Sequence, residues 1–160
     1  MVMKSKDSYR LEEQGGFFVV MVRDESHCPV CGTLLLVRAT RKRVWWSGNE
    51  EKQMLQIRRL YCGECERIHH EIPDCLVPYK RYGTDVIENI ISTEAPAKAP
   101  PPCPSSTASR IRAWWKALKP YFLHILMTLV ERFGVSFGNP PDFREKMRAV
   151  ANSNNWVFSP

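Results

Sequence analysis

The chain has 160 residues, 44% of them apolar, and its 23 lysines and arginines against 17 carboxylates leave a net charge of +6. This length allows one ordinary domain or two small ones, and the 12 prolines argue against one large core. The first ten residues are largely polar and charged, and no apolar run approaches the roughly 20 residues of a membrane span. We therefore expect a soluble, cytoplasmic protein without a leader peptide or membrane contact.

Strands are predicted in the first half of the chain, where β-branched and aromatic residues form short runs between turn residues. Phe17–Val22 follows two glycines, and Thr33–Trp46 and Met54–Tyr61 flank the polar turn Ser47–Glu51. A third short run, Arg67–Ile72, ends at a proline. These segments predict a small antiparallel sheet built around a long β-hairpin.

The pattern changes to a helical period after residue 83. Apolar residues spaced by three and four predict a helix over 84–92, with Thr84 as its N-cap. Five prolines then fall within Ala95–Pro104, a composition that predicts an extended linker.

Two or three further helices are predicted after the linker. The first runs from Thr107 to about Lys119 with one basic and one apolar face; Pro120 either kinks it or begins the next helix. The apolar stripe continues to Gly134, a residue type that commonly ends helices. A last short helix is expected at about Pro140–Ala151, capped by Asn139.

Two Cys-x-x-Cys pairs carry the clearest chemical signal in the chain. A two-residue spacer lets Cys28 and Cys31, and likewise Cys62 and Cys65, turn both sulfurs toward one ion. Four thiolates saturate a tetrahedral Zn²⁺ and leave no position for water, so the expected zinc site is structural rather than catalytic. Iron bound in the manner of rubredoxin is the alternative. Because nothing indicates secretion, paired spacing favours metal over disulfides.

The other sulfur and imidazole groups receive no metal role. Cys75 and Cys103 lie outside ligand spacing and are interpreted as buried small apolar residues or idle thiols. His69 and His70 are interpreted as half-buried strand residues, with a ligand or phosphate-contacting role as the alternative.

The elements and the cysteines together predict an α+β fold, a small four-cysteine zinc ribbon followed by α-helices that resemble a helix-turn-helix. The expected units are a zinc ribbon at 15–82, a connecting helix at 83–93, a proline-rich linker at 94–105 and a helical segment at 106–151.

Basic charge is concentrated in two blocks, a net +5 within residues 28–61 and a net +5 within 96–120, separated by an acidic stretch. Such blocks are typical of surfaces that bind a polyanion, most often nucleic acid. In the first block, arginines alternate with aromatic residues that can stack on bases. The candidate contacts to nucleic acid are Arg38, Arg41, Lys42, Arg43, Arg58, Arg59, Arg110, Arg112 and Lys116.

Several of these motifs together resemble a known family. They are Cys28–Gly32, the arginine-rich hairpin, Cys62–Cys65, the run from His69 to Tyr82, and Ser106–Trp115. Over about residues 27–118 the chain is similar to short bacterial zinc-ribbon proteins of largely unknown function, which themselves resemble the N-terminal zinc-ribbon and helix-turn-helix part of insertion-element transposases. The resemblance implies binding to double-stranded DNA, as an accessory or regulatory protein of a mobile element or as a remnant of one.

No catalytic constellation accompanies these motifs, so the chain is expected not to be an enzyme. The alternative to DNA binding is a protein–protein adaptor that uses the ribbon as a platform and the apolar stripe at 111–133 for docking. A homo-oligomer or a protein partner through helices 106–134 is compatible with either hypothesis. A third hypothesis for the function is an electron carrier like rubredoxin.

Overall fold

The computed structural model describes residues 1–48, 51–92 and 103–157. Its strands are β1 Val2–Lys4, β2 Tyr9–Gln14, β3 Phe17–Val22, β4 Leu36–Trp46, β5 Lys52–Cys62 and β6 Arg67–Pro73. Its helices are α1 Thr84–Ser92, α2 Ser105–Phe133 and α3 Phe143–Asn152, and a 3-10 turn covers Lys6–Ser8. The fold is therefore a mixed α+β fold with one curled sheet and three described helices.

The sheet is organised around β5, which contacts three other strands. β4 pairs with β5 in antiparallel register from Trp46 opposite Lys52 to Leu36 opposite Tyr61. The other edge of β5 is shared, because β6 pairs with its last residues and β3 pairs with Leu55 and Gln56 nearer its start. β1 lies beyond β6 and β2 beyond β3.

The two faces of the sheet pack against different partners. Because side chains alternate along a strand, Leu60 and Cys62 point to one face, where Cys28 joins them in a small buried cluster. Leu55 and Ile57 point to the opposite face and pack in a second cluster. The first face thus carries the cysteines, and the second is turned toward the helices.

The largest core cluster joins the helices to the sheet. Ile87 of α1, Trp115 and Phe122 of α2 and Met147 of α3 are buried together with Met3 of β1. Trp115 contacts Phe122 edge-on, with ring centroids 5.6 Å apart. The helical segment and the sheet therefore share one apolar core.

Several predicted elements are confirmed, and the sheet is larger than predicted. Phe17–Val22, the long hairpin, the third strand and the helix from Thr84 all form. The predicted antiparallel pairing holds for β4 with β5 and for β5 with β6. The whole sheet is mixed, since β1 pairs with β6 and β3 with β5 in parallel. β1 and β2 were not predicted: β1 pairs with a strand about 70 residues away, as Val2 does opposite Glu71, and β2 is a largely polar strand that pairs with β3 across the Gly15–Gly16 turn.

The helices after the linker also differ from the prediction. α2 is one continuous helix through Pro120. Proline removes one backbone hydrogen bond at a cost of about 3 kcal/mol, and burial of Trp115 and Phe122 on either side of it offsets that cost. α3 begins at Phe143, not at Pro140 with Asn139 as cap.

The start of α3 is set by its own side chains. Asp142 accepts a hydrogen bond from the Glu145 backbone N–H, and the Glu145 carboxylate accepts one from the Asp142 N–H. This reciprocal capping box satisfies two N–H groups at the end of the helix.

The predicted linker lies almost entirely outside the described residues. None of the helices in the described part of the chain has the length and apolarity of a membrane span.

Candidate functional site: a four-cysteine centre and a basic surface

The four predicted ligands lie together at one end of the β4–β5 hairpin. The Sγ atoms of Cys28, Cys31, Cys62 and Cys65 all lie within 4.8 Å of one another. Cys31 and Cys62 are 3.4 Å apart, and Cys28 and Cys65 are 4.0 Å apart. Zn–S bonds of about 2.3 Å in a tetrahedron separate sulfurs by roughly 3.8 Å. The spacing of these sulfurs therefore suits one tetrahedral metal ion.

Two tight turns present the sulfurs. In the first, the Gly32 N–H donates to Cys28 O at 2.8 Å, and Gly32 has φ of +77°, which glycine adopts without strain. In the second, the Cys65 N–H donates to Cys62 Sγ at 3.4 Å. Such N–H···S hydrogen bonds stabilise thiolates, the form in which cysteine binds a metal.

The pKa values of Cys31 and Cys65 are shifted by their hydrogen bonds with neighbouring side chains. Hydrogen bonds with Thr33 lower the pKa of Cys31 to about 6. The pKa of Cys65 is raised to about 12, chiefly by its hydrogen bond with Cys31 and then by burial. Four sulfurs this close cannot all carry negative charge without a positive ion between them. The centre can therefore hold a metal ion, and among the described residues none of the six cysteines forms a disulfide.

Two buried polar side chains support the centre from β6. Nε2 of His69 lies 3.5 Å from Cys28 Sγ, close enough to hydrogen-bond to it. Glu71 accepts from Arg58 Nε at 2.5 Å and Nη2 at 2.9 Å, and also from the hydroxyl of Ser26, near the first turn. Sequence reasoning did not assign these roles, because they depend on a register that brings β6 beside the first turn.

Three of the nine candidate nucleic-acid residues join different elements of the fold through polar contacts. Arg58 pairs with Glu71. Arg43 donates to the carbonyls of Val77 and Lys80 at 2.8 and 2.6 Å, and Arg112 donates to Ile90 O at the end of α1. Their guanidinium groups hold elements of the fold together.

The remaining candidates are distributed over two surfaces. Arg38, Arg41 and Lys42 are exposed on β4, where Arg38 lies over the ring of Tyr61. Arg59 on β5 is partly buried, and its Nε has no hydrogen-bond partner among the described residues. Exposed Arg110 and Lys116 lie on α2.

A loop that was not predicted as a site joins the two surfaces. Tyr79, Lys80 and Arg81 line one cleft against the sheet together with Arg41. The same three residues line a second cleft against α2 together with Arg110. The run Pro-Tyr-Lys-Arg-Tyr contributed to the family resemblance, and its two basic residues were the available sequence signal.

The fold and the four-cysteine centre define the chain as a small mixed α+β protein with a candidate metal site beside a basic surface. Residues 28–114 match the family DUF6431, described as a domain of unknown function, and the chain belongs to that family. The match begins at the first metal-candidate cysteine and ends within α2. No curated protein and no solved structure matches the chain.

Proposed function

We propose that this protein binds double-stranded DNA through β4, and that a Zn²⁺ ion in the four-cysteine centre stabilises that strand. From the resemblance to the N-terminal regions of transposases, we further propose that the protein acts without catalysis. It would be an accessory or regulatory protein of a mobile element, or a remnant of one. In this function the centre corresponds to a zinc ribbon, and α1 and α2 correspond to a helix-turn-helix.

The single observation that carries the proposal is the uncompensated charge of the β4–β5 pair. The β5 residues opposite 39–46 include Arg59 and Lys52 and no carboxylate, and Arg58 among them is neutralised by Glu71 of β6. On β4, exposed Arg38, Arg41 and Lys42 add three more positive charges. Like charges on neighbouring strands repel each other, and the phosphates of a polyanion relieve that repulsion.

The position of β4 in the sheet leaves it accessible. Over the described residues its outer edge has only one bridge, Trp46 to Tyr82, and residues 36–42 are exposed. At about 3.3 Å per residue, an 11-residue strand spans roughly 36 Å. A strand of that length can follow about one turn of duplex DNA.

The proposed zinc ion supports this surface indirectly. β4 begins just after the first cysteine turn, and β5 ends at Cys62. Structural zinc contributes on the order of 10–16 kcal/mol of apparent binding free energy to small folds. Zinc bound by four cysteines would therefore fix the base of the β4–β5 hairpin.

The test is a fluorescence anisotropy titration of metal-loaded protein against labelled duplex DNA at two salt concentrations. Binding that weakens steeply with salt is expected. A variant with Arg38, Arg41 and Lys42 changed to alanine should bind more weakly. The slope of its log binding constant against log salt concentration should be shallower by about 2–3, because fewer counterions are released. Arg43 is left unchanged, since it holds the 77–80 loop.

A matched control removes the same charge elsewhere. Lys6, Arg23 and Arg132 are exposed and lie outside β4 and β5, and changing all three to alanine should leave duplex binding nearly unchanged. Equal weakening by both triple variants would show that only net charge matters and would contradict a specific β4 surface. No binding at low salt by protein with one metal ion per chain would refute the proposal.

A second candidate, self-association or docking through α2, is favoured by an exposed apolar stripe. Ile111, Trp115, Phe122 and Leu126 of the predicted stripe are buried in the protein's own core. The exposed apolar residues on the later turns are Leu123, Met127, Val130 and Phe133. This candidate predicts a mass that rises with concentration in light scattering, abolished by Met127→Glu and retained in His124→Glu. A monomeric mass throughout would exclude self-association.

A further inference from the structure

A cleft of about 600 Å³ lies between the sheet and the loop that precedes α1. Ile57 of β5 and His70 of β6 contribute to its sheet side, the Pro78–Arg81 loop lines one wall, and Trp156 after α3 lines another. Pockets that bind small molecules commonly measure about 300–1,000 Å³. The cleft therefore has the size of a small-molecule site and is formed by three separate parts of the chain.

The charge of the cleft has one sign. Among the described residues no carboxylate lines it, whereas five basic residues do: Arg41, Lys42, Arg43, Lys80 and Arg81. Concave surfaces with one sign of charge concentrate the opposite charge. A ligand of this cleft should therefore be an anion.

One wall of the cleft is held in place without a ligand. The guanidinium of Arg43 donates to the carbonyls of Val77 and Lys80, which ties the loop to β4. Arg41 and Arg81 are exposed at the same cleft. The role of Arg43 is therefore to position the wall, and Arg41 and Arg81 are the cations placed to meet a ligand.

Opposite His70, one of the residues that line the cleft, lies a hydrogen-bond donor with no acceptor among the described residues. Arg59 is opposite His70 in the β5–β6 register, and its buried Nε has no partner among the described residues. Arg41 lies on β4 opposite Ile57, on the same face of the sheet. A phosphate supplies several oxygen acceptors at once, which suits this group of donors.

The cleft also presents aromatic and apolar surface. Tyr79 is exposed and has φ of +61°. Residues other than glycine rarely adopt this left-handed backbone conformation. Such backbone positions cluster at ligand-binding sites. The Trp156 ring contacts Phe122 of the core, which fixes it at the other wall. An aromatic ring of a ligand can pack against these side chains.

We propose that this cleft binds one nucleotide unit, with its phosphate at Arg41 and Arg81 and its base against Tyr79 and Trp156. The ligand is either a free nucleotide or an unpaired nucleotide of a nucleic-acid strand, since both have the same chemistry. The proposal rests on the cleft, whereas the duplex-binding function rests on the exposed charge of β4.

The test is isothermal titration calorimetry of the full metal-loaded chain with four probes: thymidine 5′-monophosphate, thymidine, inorganic phosphate and a single-stranded thymidine hexanucleotide. The monophosphate should bind at least tenfold more tightly than thymidine or phosphate alone, because only it uses both parts of the cleft. Tyr79→Gly should weaken monophosphate binding by about tenfold through loss of stacking. Tyr79→Phe keeps the ring and should bind like the wild type.

Tyr79→Gly is suited to this test because glycine adopts positive φ without strain, so reduced binding does not reflect an unfolded protein. Hexanucleotide binding much tighter than monophosphate binding assigns the cleft to an unpaired nucleotide in a strand. If the hexanucleotide and the monophosphate bind with equal affinity per site, the cleft is assigned to a free nucleotide. The proposal is overturned if neither binds, or if phosphate alone binds as well as the monophosphate and Tyr79→Gly has no effect.

The two proposals fail separately. Arg38 of β4 lies over the ring of Tyr61 and is not among the residues that line the cleft. An Arg38→Ala variant should therefore weaken duplex binding and leave monophosphate binding unchanged. Monophosphate binding without any duplex binding would refute the β4 function alone, and the reverse result would refute only the nucleotide cleft.

Discussion

Arg148 on α3 donates a hydrogen bond from Nη1 to Oδ2 of Asp74 at 2.7 Å, across 74 residues of sequence. Asp74 is fully buried at the end of β6. Its carboxylate also accepts from the hydroxyl of Tyr9 at 3.0 Å and from the Lys6 N–H at 3.2 Å. One carboxylate thus joins the last helix, the segment before β2 and the end of β6.

Asp74→Asn should destabilise the protein by about 3–5 kcal/mol, because it leaves partly buried Arg148 of α3 without its counter-charge. Urea denaturation would measure the loss. Glu12→Gln is a matched control: Glu12 pairs with Arg10 at 2.6 Å on the surface, where such a pair contributes at most about 1 kcal/mol. Similar losses for both variants would contradict the role assigned to Asp74.

Cys28→Ser should release the metal and unfold the β4–β5 hairpin, whereas Cys75→Ser should keep the metal. Cys75 is not among the four cysteines whose sulfurs lie within 4.8 Å of one another, and burial raises the pKa of its thiol to about 11. Metal analysis by plasma mass spectrometry and circular dichroism of both variants would check this. The absorption spectrum distinguishes colourless zinc from coloured iron. Equal metal content in both variants would refute the four-cysteine assignment.

Asn152→Ala should lower the free energy of unfolding by about 1–3 kcal/mol. The Asn152 amide accepts from the Met3 N–H at 2.7 Å and donates to Met3 O at 3.0 Å, so that it pairs with β1 as a neighbouring strand would. Thermal unfolding would measure the effect. Asn154→Gly serves as control, since Asn154 is exposed with φ of +59° and glycine suits that backbone. If β1 tolerates the loss of Asn152, the two variants will have the same stability.

His70→Gln should remove part of the acid sensitivity of the protein. Burial lowers the pKa of His70, and the nearby charges of Arg41 and Arg59 lower it further. Because folding favours the neutral ring, its stabilising contribution is complete above the unfolded pKa of about 6.5 and is lost as the pH falls to the folded value. Wild type should therefore lose more stability between pH 7.5 and 5.5 than His70→Gln.

Urea midpoints of both proteins at the two pH values test this prediction. Both retain the same four cysteines, so acid effects on the metal centre cancel in the comparison. The charged groups that face His70 from β4, β5 and the 78–81 loop are basic, and no carboxylate lines that cleft among the described residues. An equal fall in both proteins would contradict the prediction.

Local patterns predicted the β4–β5 hairpin and the four cysteines that lie together in the structure. Paired cysteine spacing depends on a turn of only four residues, and the β4–β5 hairpin connects neighbours in sequence. The period of apolar residues likewise located α1. The same patterns missed the mixed sheet, because parallel pairing such as Met3 with Ile72 joins segments that local sequence cannot relate.

The basic residues show the same division. Sequence placed nine arginines and lysines on a candidate surface from their spacing and charge. The tertiary structure decided that Arg43, Arg58 and Arg112 bind carbonyls or a buried carboxylate within the protein. Charge is a property of the residue, but its partner depends on which distant segment folds beside it.

The amino-acid sequence by itself determined the four cysteines as a candidate metal set, the hairpin that carries them and its basic character. Only the tertiary structure decided that Lys80 and Arg81 lie between the arginines of β4 and of α2, and that Asp74 links both ends of the chain. The physical reason is range: turns and periodicity act over a few residues, whereas burial and charge pairing act between surfaces that meet only after folding.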